Sequence, residues 1–463
     1  MEHGVRNILT AACPTRMRCM ARGIAVWLFG ALVVCGCGES PEPVPGVPGS
    51  AERPDGQSGG GVGQSESADA AVTVGQRGKT VEEVSRLPER LLNQERLANG
   101  WIQLFDGQTL FGWQANSEAN WAVRDGVIHA DSGPPGLLVT TVPFADYELM
   151  CDFKLASGGN SGVFLRTPVS PKNPAVDCYE LNICDSHPAF QTASLVARKK
   201  GLAGLKVEGD WHTFHVVVEG RKLSVTLDGK PVLDFIDETA SPLVAGRIGL
   251  QMNGGEIEFR NVFARPLGVK PLFNGNDLKG WREVPGGKSR FTVVDGAIHV
   301  EDGAGFLESE STWGDFVLQA EARTNGDELN SGIFFRAEPG TSEHPSNGYE
   351  LQIHNGSKDG NRLVPGNAGT GAIFRRTTAR FVAAEDRKWC ALTLVASGPT
   401  FSVWVNGLQV TEWRDERADD PNPRRGRRLA AGHISLQGHD PTTDLDFRAI
   451  RAARLPQPDT ADQ

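Results

Sequence analysis

The chain has 463 residues, of which 39% are hydrophobic, and a formal net charge of −10. This length gives room for roughly two or three domains, and the acidic balance argues against a nucleic-acid partner, which would normally need a basic face on the protein. The 55 glycines, together with few stretches of helical periodicity, indicate many turns and therefore a chain built mainly from strands.

The N-terminal segment has the pattern of an export signal. Arginines between positions 16 and 22 precede an apolar run over residues 24–34, which is too short to span a bilayer and is typical of a signal-peptide core. The run leads into a Gly36-Cys37 step that resembles a bacterial lipoprotein signal, cleaved before a lipidated cysteine. We therefore expect residues 1–37 to be a lipoprotein-type signal peptide, and the protein to be exported and anchored to a membrane through Cys37. An ordinary cleaved signal peptide or an uncleaved anchor is the alternative.

The next segment predicts a linker. Residues 38–90 are rich in Pro, Gly, Ser and acidic side chains and contain few large apolar groups. A segment of this composition buries too little surface to offset its ordering entropy, so we expect a flexible tether that holds the folded part away from the membrane. Helix formers over residues 80–99 predict a short helix where the linker meets the first domain.

The rest of the chain consists of two copies of one sequence pattern. The copies share an opening Leu-Phe-[Asp/Asn]-Gly…Gly-Trp, then Asp-Gly-x-Ile-His, Asn-Ser-Gly-x-Phe-x-Arg and Tyr-Glu-Leu-x-Ile, in the same order. These motifs occupy residues 104–113, 125–129, 160–166 and 179–183 in the first copy, and residues 272–281, 295–299, 330–336 and 349–353 in the second. A repeat of this length indicates duplication of a whole domain. We place the two domains at residues 91–267 and 268–456.

Both copies predict strands. Each has many short runs of alternating apolar and polar residues between turn signals, including the strong hairpin signals Asp228-Gly229 and Asn406-Gly407. With hardly any helical periodicity inside either copy, this pattern predicts an all-β sandwich for each. Because the copies are joined without a long linker, we expect them to pack against each other.

The strand predicted over residues 349–353 organises the candidate site. Its apolar side chains alternate with polar ones, so the polar set shares one face. If this strand pairs with the Asn-Ser-Gly strand, the polar side chains of both line one concave surface: Asn330, Arg336, Glu350, Gln352 and His354. The equivalent set in the first copy is Asn160, Arg166, Glu180, Asn182 and Asp185. Amides, carboxylates and guanidinium groups bind hydroxyls, and aromatic rings bind the C–H face of a sugar. A surface ion pair between Arg336 and Glu350, without function, is the alternative.

Taken together, these motifs resemble the 3-keto-disaccharide hydrolase domain family, which was long a domain of unknown function. The resemblance also rests on Thr370-Gly-Ala-Ile-Phe374 and on a closing Ile-[Gly/Ser]-Leu-Gln…Phe-Arg in each copy, and it covers residues 91–455. It implies a concanavalin A-like jelly-roll sandwich for each copy, with a concave face that binds glycans.

The resemblance also implies a chemistry. A 3-keto sugar has an acidified proton on C2, so a base removes it, the C1 substituent is expelled and water adds to the resulting enone. An oxidoreductase partner must supply the keto group. For the second copy, the resemblance implies Glu350 or His354 as the base, with the enolate or the hydroxyls held by Arg336, Asn330 and Gln352. For the first copy, it implies Glu180 with Asp185, supported by Arg166, Asn160 and Asn182.

The second copy matches the family pattern more completely. Its closing strand leads into Gln437-Gly-His439, close to the Gln…His-Gly expected of the family, whereas the first copy has Gln251-Met-Asn253 at the same place. His439 is therefore a further candidate for substrate binding. The first copy is then a candidate for a degenerate or binding-only domain; activity in both copies, or in neither, is the alternative.

Other functions stay open. A non-catalytic carbohydrate-binding surface lipoprotein is the main alternative, and a structural module of the cell envelope is a weaker one. An ordinary retaining or inverting hydrolase needs two carboxylates about 5–10 Å apart, and Glu350 has no carboxylate partner on its own strand. No cofactor is expected, although the acidic loop from Asp440 to Asp446 is a candidate calcium site.

Overall fold

The computed structural model describes residues 85–422 and 425–456. The predicted signal peptide with Cys37 and nearly all of the predicted linker lie outside these ranges. Among the helices of the described part, none is long and apolar enough to cross a membrane.

A short α-helix, α1, spans Gln94–Ala98 and precedes the first strand. The helix predicted over residues 80–99 was therefore too long in its described part. Tertiary hydrogen bonds hold the segment before α1 in another conformation, because the Leu91 N–H donates to Gln103 Oε1 at 2.8 Å and Gln103 Nε2 donates to the Glu89 carbonyl at 3.2 Å.

The first copy forms two antiparallel sheets. Its strands are β1 Ile102–Gln103, β2 Trp113–Ala115, β3 Ala122–Arg124, β4 Val127–Ala130, β5 Gly136–Thr140, β6 Tyr147–Leu155, β7 Asn160–Thr167, β8 Tyr179–Ile183, β9 Trp211–Glu219, β10 Lys222–Leu227, β11 Lys230–Ile236, β12 Arg247–Gly254 and β13 Ile257–Pro266. The larger sheet has the order β11-β10-β9-β6-β13-β4-β3, with β1 also on β13, and the smaller sheet has the order β2-β5-β12-β7-β8.

The second copy repeats this topology strand for strand. Its strands are β14 Lys270–Pro271, β15 Trp281–Glu283, β16 Arg290–Val294, β17 Ala297–Glu301, β18 Gly305–Trp313, β19 Phe316–Thr324, β20 Ser331–Ala337, β21 Tyr349–Ile353, β22 Cys390–Ser397, β23 Thr400–Val405, β24 Leu408–Arg414, β25 Gly432–Gly438 and β26 Asp444–Arg454. The larger sheet has the order β16-β17-β26-β19-β22-β23-β24, with β14 also on β26, and the smaller sheet has the order β15-β18-β25-β20-β21. A single 3₁₀ turn follows β21 at Lys358–Gly360.

Side-chain alternation explains why these segments form a sandwich. In β6 every second residue from Tyr147 to Leu155 is buried, and the residues between them are half-buried. The apolar faces of the two sheets meet, and large side chains such as Phe153 and Phe214 are fully buried between them. The structure confirms the all-β fold with two tandem jelly-roll-like sandwiches. It leaves the outer face of each smaller sheet free to carry polar groups.

The two copies are in direct contact, as their short connection predicted. Trp404 of the second copy donates from Nε1 to the Gln103 carbonyl of the first at 2.9 Å. Its ring, with Val317 and Leu455, belongs to the same buried cluster as the core of the first copy. The hydrophobic core of the first copy therefore continues across the contact.

Candidate functional site

The outer face of the smaller sheet of the second copy carries a cavity of about 240 Å³. Strands β20 and β21 form its floor, and the residues that follow β25 form one wall. The lining includes Asn330, Phe334, Glu350, Arg376, Gln437 and His439. The cavity therefore gathers a carboxylate, an imidazole, amides and a guanidinium around an aromatic ring.

Pairing between β20 and β21 sets the floor. Phe334 lies directly opposite Glu350 in the antiparallel register, so both side chains project from the same face. Gly332 lies opposite Gln352, and its missing side chain leaves room for the Glu350 carboxylate, since a Cβ there would lie 2.8 Å from Oε1. Phe306 supports Phe334 edge-on, with 5.3 Å between the ring centroids. The floor thus combines a carboxylate with a flat apolar surface.

A hydrogen-bonded row of Asp440, His439 and Asn330 forms one wall. His439 Nδ1 lies 2.8 Å from Asp440 Oδ2, and His439 Nε2 lies 2.9 Å from Asn330 Nδ2. Because an ionised carboxylate only accepts hydrogen bonds, Nδ1 carries the proton of the neutral ring and Nε2 is its basic atom. Hydrogen bonds from Thr442 and His439 lower the pKa of Asp440 to about 2. Asp440 is therefore ionised at neutral pH and orients the imidazole.

Beside this row, two buried glutamines have side-chain oxygens that accept no hydrogen bond from the described residues. Gln352 is fully buried, and its Nε2 donates to Asn330 Oδ1 at 3.2 Å and to the Asn367 carbonyl at 3.1 Å. Gln437 lines the cavity and is 8% exposed. Within the described residues, the Oε1 atoms of both have no hydrogen-bond partner. Buried acceptors of this kind are costly unless a ligand or water donates to them, and a hydroxyl-rich ligand supplies such donors.

Arg336 does not lie on this face, so the prediction from strand alternation was wrong. A β-bulge near the end of β20 shifts the register against β25, and Arg336 has a φ of 49°. Its side chain is fully buried on the core side of the sheet and donates to Asp315 Oδ1 at 2.8 Å. Further acceptors are the carbonyls of Gly314, Gly398 and Arg428. Arg166 in the first copy has the same φ and pairs with Asp146 at 2.7 Å, so the same correction applies to it.

His354 and Asp185 also lie away from the positions expected for a base. His354 follows the end of β21, and its ring packs against Gly356, where a Cβ would lie 2.7 Å from Nε2. Asp185 is 4% exposed and accepts hydrogen bonds from Thr192 Oγ1 at 2.7 Å and from the Val207 N–H at 2.9 Å. Both side chains are therefore packed into loops. The predicted residues that the structure does bring together are Asn330, Glu350, Gln352 and His439.

Comparison with known protein families covers both sandwiches. A family model described as a 3-keto-alpha-glucoside-1,2-lyase-like domain matches residues 100–265 and again residues 268–453. The chain belongs to this family. The resemblance read from the motifs is thereby confirmed, and the two sandwiches are tandem lyase-like domains.

Individual relatives match parts of the chain. A 3-keto-disaccharide hydrolase from Bacteroides thetaiotaomicron is 34% identical over 14% of this chain and 27% of its own length, so the match spans about a quarter of that relative. Among solved structures, a predicted glycosyl hydrolase from Parabacteroides distasonis is 21% identical, with a TM-score of 0.35, over 38% of this chain and 99% of its own. A carbohydrate-binding module from Bacillus subtilis is 17% identical, with a TM-score of 0.28, over 33% of this chain and 95% of its own.

The first lyase-like domain has a different wall. Asn253 stands where the second domain has His439. Glu180, the equivalent of Glu350, is only 8% exposed and accepts a hydrogen bond from Gln251 Nε2 at 3.3 Å. Burial raises the pKa of the Glu180 carboxyl. The first domain therefore keeps the carboxylate of the floor and has an amide in place of the imidazole.

The remaining amides predicted for the first domain lie along β7 and β8. Asn182 is 1% exposed and its side chain donates to the Phe190 carbonyl. Asn160 begins β7 and is paired with Gly254 of β12. In the second domain, by contrast, the equivalent Asn330 bonds directly to the imidazole of the wall.

Phe374, Arg375 and Arg376 are among the cavity residues that the sequence analysis did not predict as site residues. Phe374 ends the motif that begins at Thr370 and the two arginines follow it, and the backbone there is the same in both domains. The Phe374 N–H donates to the Glu350 carbonyl as the Val196 N–H donates to the Glu180 carbonyl. A position-by-position comparison of the two copies would have singled out Arg375, because the first copy has Ala197 there.

The acidic loop after β25 does not fit the calcium site considered for it. Within the described ranges, no group of three or more His, Cys, Asp or Glu side chains is arranged to hold a metal ion. Asp440 accepts hydrogen bonds from Thr442 and lies against His439, and Asp446 is bonded by Arg323 at 2.6 Å. These carboxylates therefore already have protein partners.

Proposed function

We propose that the second lyase-like domain cleaves 3-keto-glycosides by elimination across C1 and C2, followed by hydration. The observation that carries the proposal is an imidazole oriented by a carboxylate, His439 with Asp440, on the same cavity as a second carboxylate, Glu350. An elimination needs a base for the C2 proton and an acid for the oxygen that leaves C1. One titratable group on the wall and one on the floor supply both.

The proposed reaction balances with these two groups alone. His439 Nε2 takes the proton from C2, which the C3 carbonyl makes acidic, and the electron pair forms an enolate. The enolate collapses to a C1=C2 double bond as the C1–O bond breaks, and Glu350, which enters the reaction as the carboxylic acid, gives its proton to the departing oxygen. Water then adds to C1, with one of its protons going to Glu350, and His439 returns a proton to C2. The sum is hydrolysis of the keto-glycoside.

The rest of the cavity supports this reaction. The Asn330 amide and the half-buried Arg376 guanidinium are donors for the enolate oxygen, and fixed donors of this kind lower the barrier most where water is partly excluded. The unmatched acceptor of Gln437, which lines the cavity, suits a further sugar hydroxyl, and Gln352 positions Asn330 by donating to its Oδ1. Phe334, which lines the cavity, provides an apolar contact for the C–H side of the sugar ring.

The first lyase-like domain has, in this proposal, a binding or structural role. Asn253 replaces the imidazole there, and an amide side chain does not take up a proton at neutral pH. The alternative is that the second domain also only binds its ligand. The protein would then be a carbohydrate-binding protein without catalysis.

Turnover by the full chain tests the proposal, with a 3-keto-glucoside and its unoxidised parent as substrates. His439→Asn installs the residue of the first domain, and we expect a loss of about 100-fold or more in aglycone release. Exchange of the C2 proton with deuterium should be lost in parallel, because the base is gone. Glu350→Gln should lower turnover as well.

Glu180→Gln is the matched control in the first domain and should leave turnover intact. An unchanged rate in His439→Asn would contradict the assignment of the base. Glycan binding by the wild type without release of aglycone from either substrate would favour the carbohydrate-binding alternative.

We also propose that the protein is an exported lipoprotein, with Cys37 lipidated and residues 38–90 as a tether. The apolar run over residues 24–34 and the Gly36-Cys37 step support this. An oxidoreductase must supply the substrate, because the elimination depends on a carbonyl at C3. Retention of Cys37→Ser in the membrane fraction would contradict lipid anchoring.

A further inference from the structure

The mouth of the cavity carries an exposed arginine, Arg375, for which the described residues provide no ion pair. Arg375 is exposed, and its guanidinium lies 5.5 Å from the centroid of the Phe374 ring. Among the ion pairs of the described residues, none involves Arg375. Arg376 beside it lines the same cavity, and its pKa is lowered by burial and by the positive charge of Arg417, an effect that Asp415 opposes. Two neighbouring guanidinium groups therefore lie on this side of the cavity, and Arg375 is the more exposed of them.

The positive charge of Arg375 is present in the second domain and absent at the equivalent position of the first. Ala197 occupies the same position in the first domain with a φ of 59°, against 60° for Arg375. The counterpart of Arg376 in the first domain, Arg198, lies 3.5 Å from the buried carboxylate of Asp237. The backbone is thus the same in both domains, and the guanidinium of Arg375 is not needed to form it.

Arg375 is more exposed than Glu350 and Arg376, which are assigned to the proposed chemistry. Glu350 and the half-buried Arg376 lie at the floor and side of the cavity, where the proposed chemistry takes place, whereas Arg375 lies further out. The Phe374 ring supports its planar guanidinium, which reduces the entropy lost when it binds a ligand. A guanidinium placed in this way is suited to a carboxylate or a sulfate, with two parallel charge-assisted hydrogen bonds.

We propose, as an extension that rests on the function proposed above, that Arg375 selects glycosides bearing an anionic substituent. The substituent is a carboxylate, as in a uronic acid, or a sulfate ester. Arg375 lines the cavity and is exposed, and no ion pair among the described residues involves it. An acidic sugar would therefore supply the partner for its guanidinium.

Binding of three unoxidised, unreactive ligands to the full chain tests this inference: methyl glucoside, methyl glucuronide and methyl glucoside 6-sulfate. Titration calorimetry should give an affinity about tenfold higher for an anionic ligand than for the neutral one. Arg375→Ala, which copies the first domain, should reduce that ratio to about one. Arg290→Ala is the matched control, because it removes an exposed arginine that pairs with Glu301 on the other sheet, and it should keep the ratio of the wild type.

The possible results separate the two proposals. Equal affinities in the wild type, an unchanged ratio in Arg375→Ala, or no binding of any ligand would overturn the inference about Arg375. An anionic preference that Arg375→Ala abolishes supports it, and the better of the two anions then identifies carboxylate or sulfate as the substituent. If that preference is present but no 3-keto-glucoside is turned over, the proposed chemistry fails and the anion selectivity stands.

Discussion

Gly332 in β20 leaves the space in which the Glu350 carboxylate lies. A Cβ on Gly332 would lie 2.8 Å from Glu350 Oε1 and 2.9 Å from its Cγ, so the carboxylate lies directly over the glycine. In the first domain the corresponding Cβ on Gly162 would lie 3.6 Å from Glu180 Cγ, and Glu180 bonds to Gln251 instead. Gly332 therefore lies closer to the glutamate of its own domain than the equivalent Gly162 does.

Gly332→Ala is expected to reduce turnover of a 3-keto-glucoside by about tenfold or more, because the added methyl group displaces the carboxylate from the cavity floor. Overpacking of this kind costs about 1–3 kcal/mol in the free energy of unfolding, so the variant should still fold. Aglycone release and urea unfolding measure the two effects separately. Gly162→Ala is the control, with a comparable change in stability and no change in rate. Full activity in Gly332→Ala would show that Glu350 is not held by this contact.

At the scale of elements, the bulge near the end of each Asn-Ser-Gly strand converts a surface position into a core position. The bulge also requires β25 to approach closely. A Cβ on Gly432 of that strand would lie 2.4 Å from the Arg336 carbonyl carbon. Burial lowers the pKa of Arg336, and Asp315 opposes this effect. The bulge therefore depends on a carboxylate that balances the buried guanidinium.

The two copies of this ion pair provide a matched test. Asp315→Asn should lower the free energy of unfolding by about 3–5 kcal/mol, because it leaves a fully buried guanidinium without its counter-charge. Asp146→Asn should cost less, since the side chain of Asp146 is 34% exposed and that of Asp315 is 8% exposed, so that water compensates in part. Urea unfolding of the full chain measures both values. Equal losses would mean that exposure does not control the strength of the pair.

The same bulge marks where prediction from sequence reaches its limit. The alternation in β21 placed Glu350 and Gln352 on the outer face correctly, because a regular strand has a period of two. One extra residue in a strand turns the side chains that follow it to the opposite face of the sheet. Nothing in the Asn-Ser-Gly motif reveals that Arg336 follows such an insertion. Arg375 lies in a loop without periodicity, so only comparison of the two copies exposes it.

At the scale of the whole molecule, the two domains are joined by buried polar contacts as well as by a shared core. Asp106 and Arg380 lie 3.0 Å apart, and both side chains are less than a tenth exposed. The Arg380 guanidinium also lies 4.1 Å from the centroid of the Phe111 ring. A buried pair that spans two domains makes separation costly, since each charge would lose its partner. We therefore expect the two lyase-like domains to unfold together.

Glu412 lies in the same contact. It belongs to the second domain and accepts hydrogen bonds from Thr141 and from the Gly112 backbone of the first, yet burial outweighs these bonds and raises its pKa. The folded protein therefore holds a proton on this carboxyl group more tightly than the unfolded chain does. Stability must then fall as the pH rises from the ordinary glutamate pKa through the raised folded value.

Glu412→Gln keeps the size of the side chain and one acceptor oxygen but removes the charge. It should raise the free energy of unfolding at neutral pH, where the wild type must bury a carboxylate. The gain should disappear below about pH 4, because the glutamate is then neutral in both states. Urea unfolding at the two pH values measures the difference, and Glu310→Gln, at an exposed position, should show no such pH dependence. A loss of stability at neutral pH would instead show that attraction to Arg247 and Arg380 exceeds the cost of burial, and that the charge itself holds the domains together.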